Sequence, residues 1–174
     1  MPRGLHIGGT VRAPGWEVLN IQPGDCVDHV GSADDLSRFP DASFDALYAS
    51  HVLEHMSPGG ALQQALKEWH RVLRPAGRLL VGVPDLQRLC RLFADPGFGV
   101  PERYTVMLMM FGGHDDAFDC HEIGFDTDIL AHFLHDAGFV NVRRVESFGL
   151  FSDATEVVYR DVRVSLNLTA EKPA

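Results

Sequence analysis

Two histidines stand four residues apart in the stretch SHVLEH, which follows a short apolar run at Ala46–Ala49. An imidazole with an ordinary pKa of about 6.5 can take a proton from a hydroxyl, which makes His51 a candidate general base. A metal site would need a third ligand, and Glu54 has the wrong angular offset for a simple three-ligand face on a helix. We expect His51 to line a cleft, and His55 and Glu54 to cap or orient the following loop.

A second candidate segment, GGHDDAFDCHEIGFD, is rich in acids and histidines. Its possible metal ligands are His114, Asp115, Asp116, Asp119, His121 and Glu122. Acidic loops are commonly just solvated, so we expect no metal here. His121 is the second candidate catalytic base.

The elements that position these residues form a strand–helix–strand pattern. The runs Ala46–Ala49 and Leu79–Val83 are apolar, which is typical of central strands. The segment Pro58–Leu73 between them predicts a helix capped by Ser57. Its apolar residues recur at helical spacing, at Leu62, Leu66, Trp69, Val72 and Leu73.

Such a unit implies parallel pairing of its two strands. Open parallel sheets bind ligands outside the carboxyl ends of their strands. The ends in this sequence are Ser50–His55 and Pro84–Asp85. We therefore expect the functional site near these two segments.

The beginning of the chain is too short for a complete unit of this kind. A strand at Arg3–Gly8 is followed, after about eight residues, by a second strand, EVLNI. A parallel crossover that contains a helix needs roughly a dozen residues or more, so the helix is missing or reduced to a turn. Gly8 and Gly9 between the strands suit either a tight turn or close contact with a charged ligand, and Thr10 breaks the longer glycine pattern.

The later part of the chain predicts further helices and a closing strand. Asp85 and Asp126 can each cap a helix. The buried face of the last helix is predicted to be Ile129, Leu130, Phe133 and Leu134. From Val162 to Thr169 apolar and polar residues alternate, which predicts a strand with one solvated face, antiparallel and near an edge.

Several stretches together resemble a known family. FDALYASHVLEHM, followed by HRVLRPAGRLLVGVPD, resembles the second half of class I S-adenosylmethionine-dependent methyltransferases. The likeness is closest to a short methyltransferase-like group whose opening matches LHIGG and PGW, and it extends to MMFGG, HEIGF and SLNL. It implies a single α/β domain over residues 1–174, a Rossmann-like parallel sheet with helices on its faces and an antiparallel C-terminal strand. The helix after the first strand would be lacking. The resemblance also implies that His121 is a lid or substrate-side residue.

The resemblance also implies where S-adenosylmethionine would bind. The residues that match the cofactor-contacting positions are His6, Gly8, Gly9, Asn20, Ser32, Ala33, Asp34 and Ser50. The family usually has acids at three of these positions, which His6, Asn20 and Ser32 occupy here. Losing three charged acceptors would weaken binding roughly a hundredfold or more unless other contacts compensate.

Composition limits the partners of this chain of 174 residues. Its net charge of −9 argues against nucleic acid or an anionic membrane, and no run reaches transmembrane length. The three cysteines form no CxxC pair, which favours a reducing compartment, and we expect a cytoplasmic protein. A homodimer could cover the sheet face that the missing helix leaves bare.

Three functions remain open from the sequence. The favoured one is methyl transfer from S-adenosylmethionine to oxygen or nitrogen of a small-molecule or sugar-like acceptor. The alternative is a non-catalytic methyltransferase-fold binding or assembly protein with a degenerate cofactor site. A weaker third hypothesis is a metal-dependent hydrolase that uses the histidine- and acid-rich loop.

Overall fold

A computed structural model describes residues 3–115 and 117–174. Seven of the described strands form one sheet, in the order β3-β2-β1-β4-β5-β9-β6. Strands β1 to β5 are parallel, and β9 is antiparallel to both of its neighbours. The bounds of the seven are β1 Gly4–Ile7, β2 Trp16–Asn20, β3 His29–Val30, β4 Phe44–Ser50, β5 Leu73–Pro84, β6 Val140–Val145 and β9 Ser165–Glu171. The predicted α/β fold with an antiparallel C-terminal strand is therefore confirmed.

The central unit has the predicted arrangement, with one correction. Strands β4 and β5 are adjacent and parallel, joined by α1, Ala61–Val72. The predicted Ser57 cap is wrong, because the helix begins only after Gly60, whose φ of 153° ends the preceding turn. The Ser57 hydroxyl instead accepts a hydrogen bond from Gly59 N at 3.2 Å, inside that turn.

The connection between β1 and β2 contains no helix over residues 8–15, all of which the structure describes. The sheet face left without it is covered by aromatic side chains of the same chain: Trp16, Phe148 and Phe151 pack around Tyr48. The Tyr48 hydroxyl donates to Asp153 at 2.8 Å, which fixes this cover to the sheet. The expectation of a bare face at this position is therefore wrong, because a segment that follows β6 folds back over it.

The last strand is shorter and more buried than the alternating pattern indicated. Val162–Arg163 forms β8, which pairs with β7, Val158–Tyr159, in a separate small sheet. In β9 the polar residues Ser165 and Asn167 are buried, so the predicted solvated face is wrong. The Asn167 amide donates to the carbonyls of Glu146 and Thr155, each at 3.1 Å, because the covering segment lies on that face.

Three further helices complete the fold: α2 Leu86–Phe93, α3 Val100–Phe111 and α4 Thr127–Asp136. The predicted caps are confirmed, since Asp85 accepts from Arg88 N at 3.0 Å and Asp126 from Ile129 N at 2.9 Å. The predicted burial of Ile129 is wrong, because its side chain is 40% exposed. No described helix is both long and apolar enough to cross a membrane.

Candidate functional site

A cavity of about 310 Å³ opens at the carboxyl ends of β1, β2 and β4. The sheet order changes direction between β1 and β4, and a reversal of this kind leaves a crevice at the strand ends. The described lining residues include four predicted cofactor contacts, Gly8, Asn20, Ser32 and Ala33, and also His51. The sequence-predicted site is therefore partly assembled by neighbouring strand ends.

Steric contacts within the protein explain why the first loop has glycine at two positions. Gly8 adopts a φ of 73°, and a Cβ there would lie 2.5 Å from Val52 Cγ2. A Cβ on Gly9 would lie 2.6 Å from the His6 ring. The tight-turn interpretation thus accounts for both glycines, while Gly8 also borders the cavity.

Asn20 already serves as a connector between two loops. Its Nδ2 donates to Gly9 O at 3.0 Å, and its Oδ1 accepts from Gln22 N at 2.9 Å. A carbonyl-type oxygen has two lone pairs, so Oδ1 can accept one further bond from a ligand hydroxyl. The Ser32 hydroxyl donates to Asp34, which ties this acid to the loop beside the cavity.

Four predicted cofactor contacts do not line the cavity: His6, Gly9, Asp34 and Ser50. The His6 ring is buried on the aromatic face of the sheet, 4.2 Å from the Phe151 ring centroid and 4.9 Å from that of Tyr48. Burial lowers the pKa of His6 to about 4, with partial opposition from the charge of Asp153. His6 is thus placed as a neutral core residue at neutral pH.

The described lining of the main cavity fits a nucleoside-type cofactor in location and size but supplies little charge. Its volume lies at the lower end of the range for ligand pockets, roughly 300–1,000 Å³. Among the described lining residues the sole carboxylate is Glu122. Polar contacts to a ligand would come from the Asn20 amide, the Ser32 hydroxyl and backbone groups.

His51 lies where two cavities meet. It lines the main cavity and also a second, largely apolar cavity of about 190 Å³, whose other lining residues are Pro84, Leu89, Met109, His121, Ala154, Val157 and Val164. Its backbone has a φ of 54°, which is unusual for a residue with a side chain. Its Nε2 lies 2.7 Å from Ser165 Oγ, and its Nδ1 lies 3.2 Å from Glu54 Oε1.

Glu54 is the unexpected member of the site. Its side chain is 1% exposed, and neither carboxylate oxygen has a hydrogen-bond partner among the described residues, since the contact with His51 lacks hydrogen-bond geometry. Three residues, Glu54, His55 and His121, each have one ligand atom within 4.8 Å of the other two. Together they could hold a metal ion. Their spacing in the sequence did not indicate this group, because His121 comes from a distant loop.

The expected loop-orienting role of Glu54 and His55 is carried by different atoms. The backbone carbonyl of Glu54, rather than its carboxylate, accepts from Glu122 N at 2.7 Å. The His55 ring contacts Cys120 O through Nδ1 at 3.1 Å. These contacts hold the loop before α4 against the turn after β4 and bring His121 beside His55, with ring centroids 4.8 Å apart.

The rest of the acid-rich loop contributes little to this cluster. His114, Asp115 and Asp119 bond within the loop or to the end of α3. Asp116 lies outside the described residues. Among the predicted ligands of this loop, His121 alone joins the Glu54 group.

Comparison with known proteins relates one segment of the chain to a family. Residues 17–81 match the family model described as a methyltransferase domain. A search of curated protein sequences finds no match to the chain.

Three of the similar solved structures are proteins whose described functions differ from one another. A possible exported protein from Bordetella parapertussis superposes with a TM-score of 0.59 at 12% identity, covering 99% of this chain and 62% of that one. A possible histamine N-methyltransferase from Thermotoga maritima gives 0.61 at 18% identity, covering 99% and 83%. The Burkholderia thailandensis 1,6-didemethyltoxoflavin-N1-methyltransferase, solved with its substrate and S-adenosylhomocysteine, gives 0.60 at 20% identity, covering 99% and 72%.

The chain has a Rossmann-like fold of the kind found in these methyltransferase structures. The matched segment and the fold support the resemblance to the class I S-adenosylmethionine-dependent methyltransferases. The cofactor of this family is S-adenosylmethionine.

Proposed function

We propose that this protein transfers a methyl group from S-adenosylmethionine to an oxygen or nitrogen of a small-molecule or sugar-like acceptor. The observation that carries the proposal is the position of His51, which lines both the cavity at the β1–β4 crevice and the apolar second cavity. A donor in the first and an acceptor in the second would meet at this residue. The match of residues 17–81 to the methyltransferase-domain family supports the same assignment.

The main cavity would hold the cofactor through Gly8, Asn20, Ser32 and Ala33. When bound, S-adenosylmethionine supplies an electrophilic methyl group on a sulfonium. The protein's contribution would be to position the acceptor in line with that methyl group and to exclude water. Because amide, hydroxyl and backbone groups replace the usual carboxylates, we expect a dissociation constant of the order of tens of micromolar or weaker.

His51 is the proposed base for a hydroxyl acceptor. The Glu54 carboxylate beside Nδ1 favours the tautomer that carries its proton on Nδ1 and its lone pair on Nε2. Nε2 now contacts Ser165 Oγ, and the Ser165 hydroxyl can donate to Ala154 O at 2.8 Å instead. An acceptor hydroxyl could therefore take the place of Ser165 at Nε2 without leaving that serine unbonded.

His121 is the second proposed base, because it also lines the apolar cavity. Burial lowers the pKa of His121, and the charge of Glu54 partly opposes this effect. The imidazole therefore favours its neutral form, which is the form that can accept a proton. Its Nδ1 donates to Met110 O at 3.1 Å, so the accepting nitrogen is Nε2.

Calorimetric titration with S-adenosylmethionine and S-adenosylhomocysteine is the first test. We expect weak but measurable binding, and Asn20→Asp should tighten it by up to about tenfold if residue 20 contacts the ribose. The same substitution removes the donor to Gly9 O, so we expect a loss of about 1–3 kcal/mol in unfolding free energy. Absence of binding by both cofactor forms, in the folded native protein and in the variant, would contradict the proposal.

Turnover with a panel of small hydroxyl and amine acceptors tests the catalytic residues. His51→Ala should lower kcat about 10²–10⁴-fold while changing cofactor affinity little, because proton transfer matters chiefly in the transition state. His132→Ala is a matched control, since His132 lies exposed on α4 beside Asp136. Equal losses of kcat in both variants would remove His51 from the mechanism.

One observation favours the non-catalytic alternative. The side-chain amide of Asn20 is bonded to Gly9 and Gln22, as expected of a structural residue. If neither cofactor form binds and no acceptor is methylated, the protein is better explained as a binding or assembly protein that retains the fold.

A further inference from the structure

The carboxylate of Glu54 is buried, and among the described side chains only His51 approaches it as an ion-pair partner, with Nδ1 3.2 Å from Oε1. A carboxylate removed from water is costly unless it is hydrogen-bonded, paired with a cation or bound to a metal. Neither oxygen of Glu54 has a hydrogen bond from the residues that the structure describes, although the group is 1% exposed. Its titratable neighbours are the histidines His51, His55 and His121.

The ring orientations explain why two of these histidines do not donate to Glu54. His55 Nδ1 lies 3.1 Å from Cys120 O, and His121 Nδ1 lies 3.1 Å from Met110 O. A carbonyl can only accept, so Nδ1 is the donor in both rings and Nε2 of the neutral ring carries a lone pair. Histidine ligands of metals almost always show this arrangement, in which the second ring nitrogen donates to a carbonyl or carboxylate.

We propose that Glu54, His55 and His121 bind a divalent transition-metal ion between the two cavities. An ion bound to Nε2 of His121 leaves His51 as the base. Two imidazoles and one carboxylate suit Zn²⁺ best, and also Fe²⁺, Co²⁺ or Ni²⁺, whereas Mg²⁺ and Ca²⁺ prefer sites made of oxygen ligands. Metal bonds of about 2.0–2.2 Å in a tetrahedron would place ligand atoms about 3.4 Å apart. Since the three atoms already lie within 4.8 Å, binding requires side-chain shifts of about 1 Å.

This site departs from our expectation of no metal, because its ligands come from separate parts of the chain. Glu54 and His55 lie in a short turn after β4, Leu53–His55, and His121 lies in the loop after α3. A backbone bond from Glu122 N to Glu54 O holds the two segments together, and one from His121 N to Phe111 O ties the loop to the end of α3. The scaffold of the site therefore does not depend on the metal.

His51 would border the ion, since its Nδ1 is 3.2 Å from Glu54 Oε1. His55 lines the main cavity and His121 the second one, so an ion held here would reach both. Its remaining coordination position could bind an oxygen or nitrogen of the acceptor. That last role rests on the proposed methyl transfer, whereas binding of the metal does not.

The test is a Zn²⁺ titration of the full chain after removal of metals with a chelator. We expect about one equivalent bound, with a rise in melting temperature, in the absence of any methyl donor. Glu54→Gln and His121→Ala should each weaken binding about 10–100-fold or more, while His132→Ala should leave it unchanged. Because the titration contains no S-adenosylmethionine, its outcome is independent of whether methyl transfer is observed.

Folding of the variants is checked by their circular dichroism in the chelated state. If Glu54→Gln does not fold, His55→Ala with Co²⁺ replaces it, and the visible absorption of cobalt bound by nitrogen and oxygen should be lost. Failure of the folded native chain to bind Zn²⁺ and Co²⁺ would overturn the proposal. So would native-like affinity in His121→Ala, or equal loss in His132→Ala, since either result would place the ion elsewhere.

Discussion

Acidification should destabilise this protein through His6. The ring is buried among aromatic side chains, and burial lowers its pKa from 6.5 to about 4. Below pH 6.5 the unfolded chain binds a proton at this position that the folded chain does not bind until about pH 4. The unfolding free energy therefore falls as the pH falls through this window, and no further loss arises from His6 below it.

The expected size follows from the shift. A difference of about 2.5 pKa units corresponds to at most about 3 kcal/mol, of which about 2 kcal/mol would be lost between pH 7 and pH 4.5. Urea unfolding of the native protein and of His6→Phe at both pH values measures this contribution as a difference of differences. Phe keeps an aromatic ring against Phe151 and removes both the titration and the unpaired Nδ1.

The carboxylates and the other histidines titrate in both proteins, so their contributions to the pH dependence cancel in the comparison with the variant. His6→Leu repeats the measurement if Phe overpacks the site, and His132→Ala controls for loss of an exposed histidine. If the native protein and both His6 variants lose the same free energy on acidification, His6 has an ordinary pKa. The aromatic cover would then not enclose the ring as described.

Two further predictions concern stability. Asp85→Ala should lower the unfolding free energy, measured in urea titrations, by about 3–5 kcal/mol. The substitution removes the cap of α2, and it leaves the charge of Arg144, now 2.5 Å from the carboxylate, unpaired. A loss below about 1 kcal/mol would contradict this prediction. Gly82→Ala should lower the unfolding free energy by about 1–3 kcal/mol, because the new Cβ would lie 2.4 Å from Thr155 Cγ2. Gly24→Ala is the control and should change the melting temperature little, because its Cβ would lie 3.6 Å from the nearest atom. Equal shifts in melting temperature for the two variants would refute the steric crowding at Gly82.

The parts of the fold that depend on nearby residues could be predicted from the sequence. The β4–α1–β5 unit follows from apolar periodicity within one stretch of chain. The caps at Asp85 and Asp126 involve a backbone N–H only three residues away. The missing helix before β2 follows from the length of the connection, since no packing can fit a crossover helix into so few residues.

Local patterns were misleading where distant segments cover a surface. The alternation around Asn167 predicted a solvated face, yet the segment after β6 buries it and supplies the carbonyls that bond its amide. The same segment brings Phe151 over the sheet and encloses His6. Burial depends on which parts of the chain lie above a strand, and the strand's own residues do not specify this.

The sequence by itself therefore determined the sheet, its central crossover and the strand ends at which a site should lie. Only the tertiary structure decided how the polar residues at that edge are used. Asn20 bonds to two loops, and Glu54 lies beside three histidines without a hydrogen bond from the described residues. The physical reason is that hydrogen bonds and ligand sites form between residues that are close in space, whatever their separation in the sequence. Their members come from loops far apart in the chain, which only the packed sheet brings together.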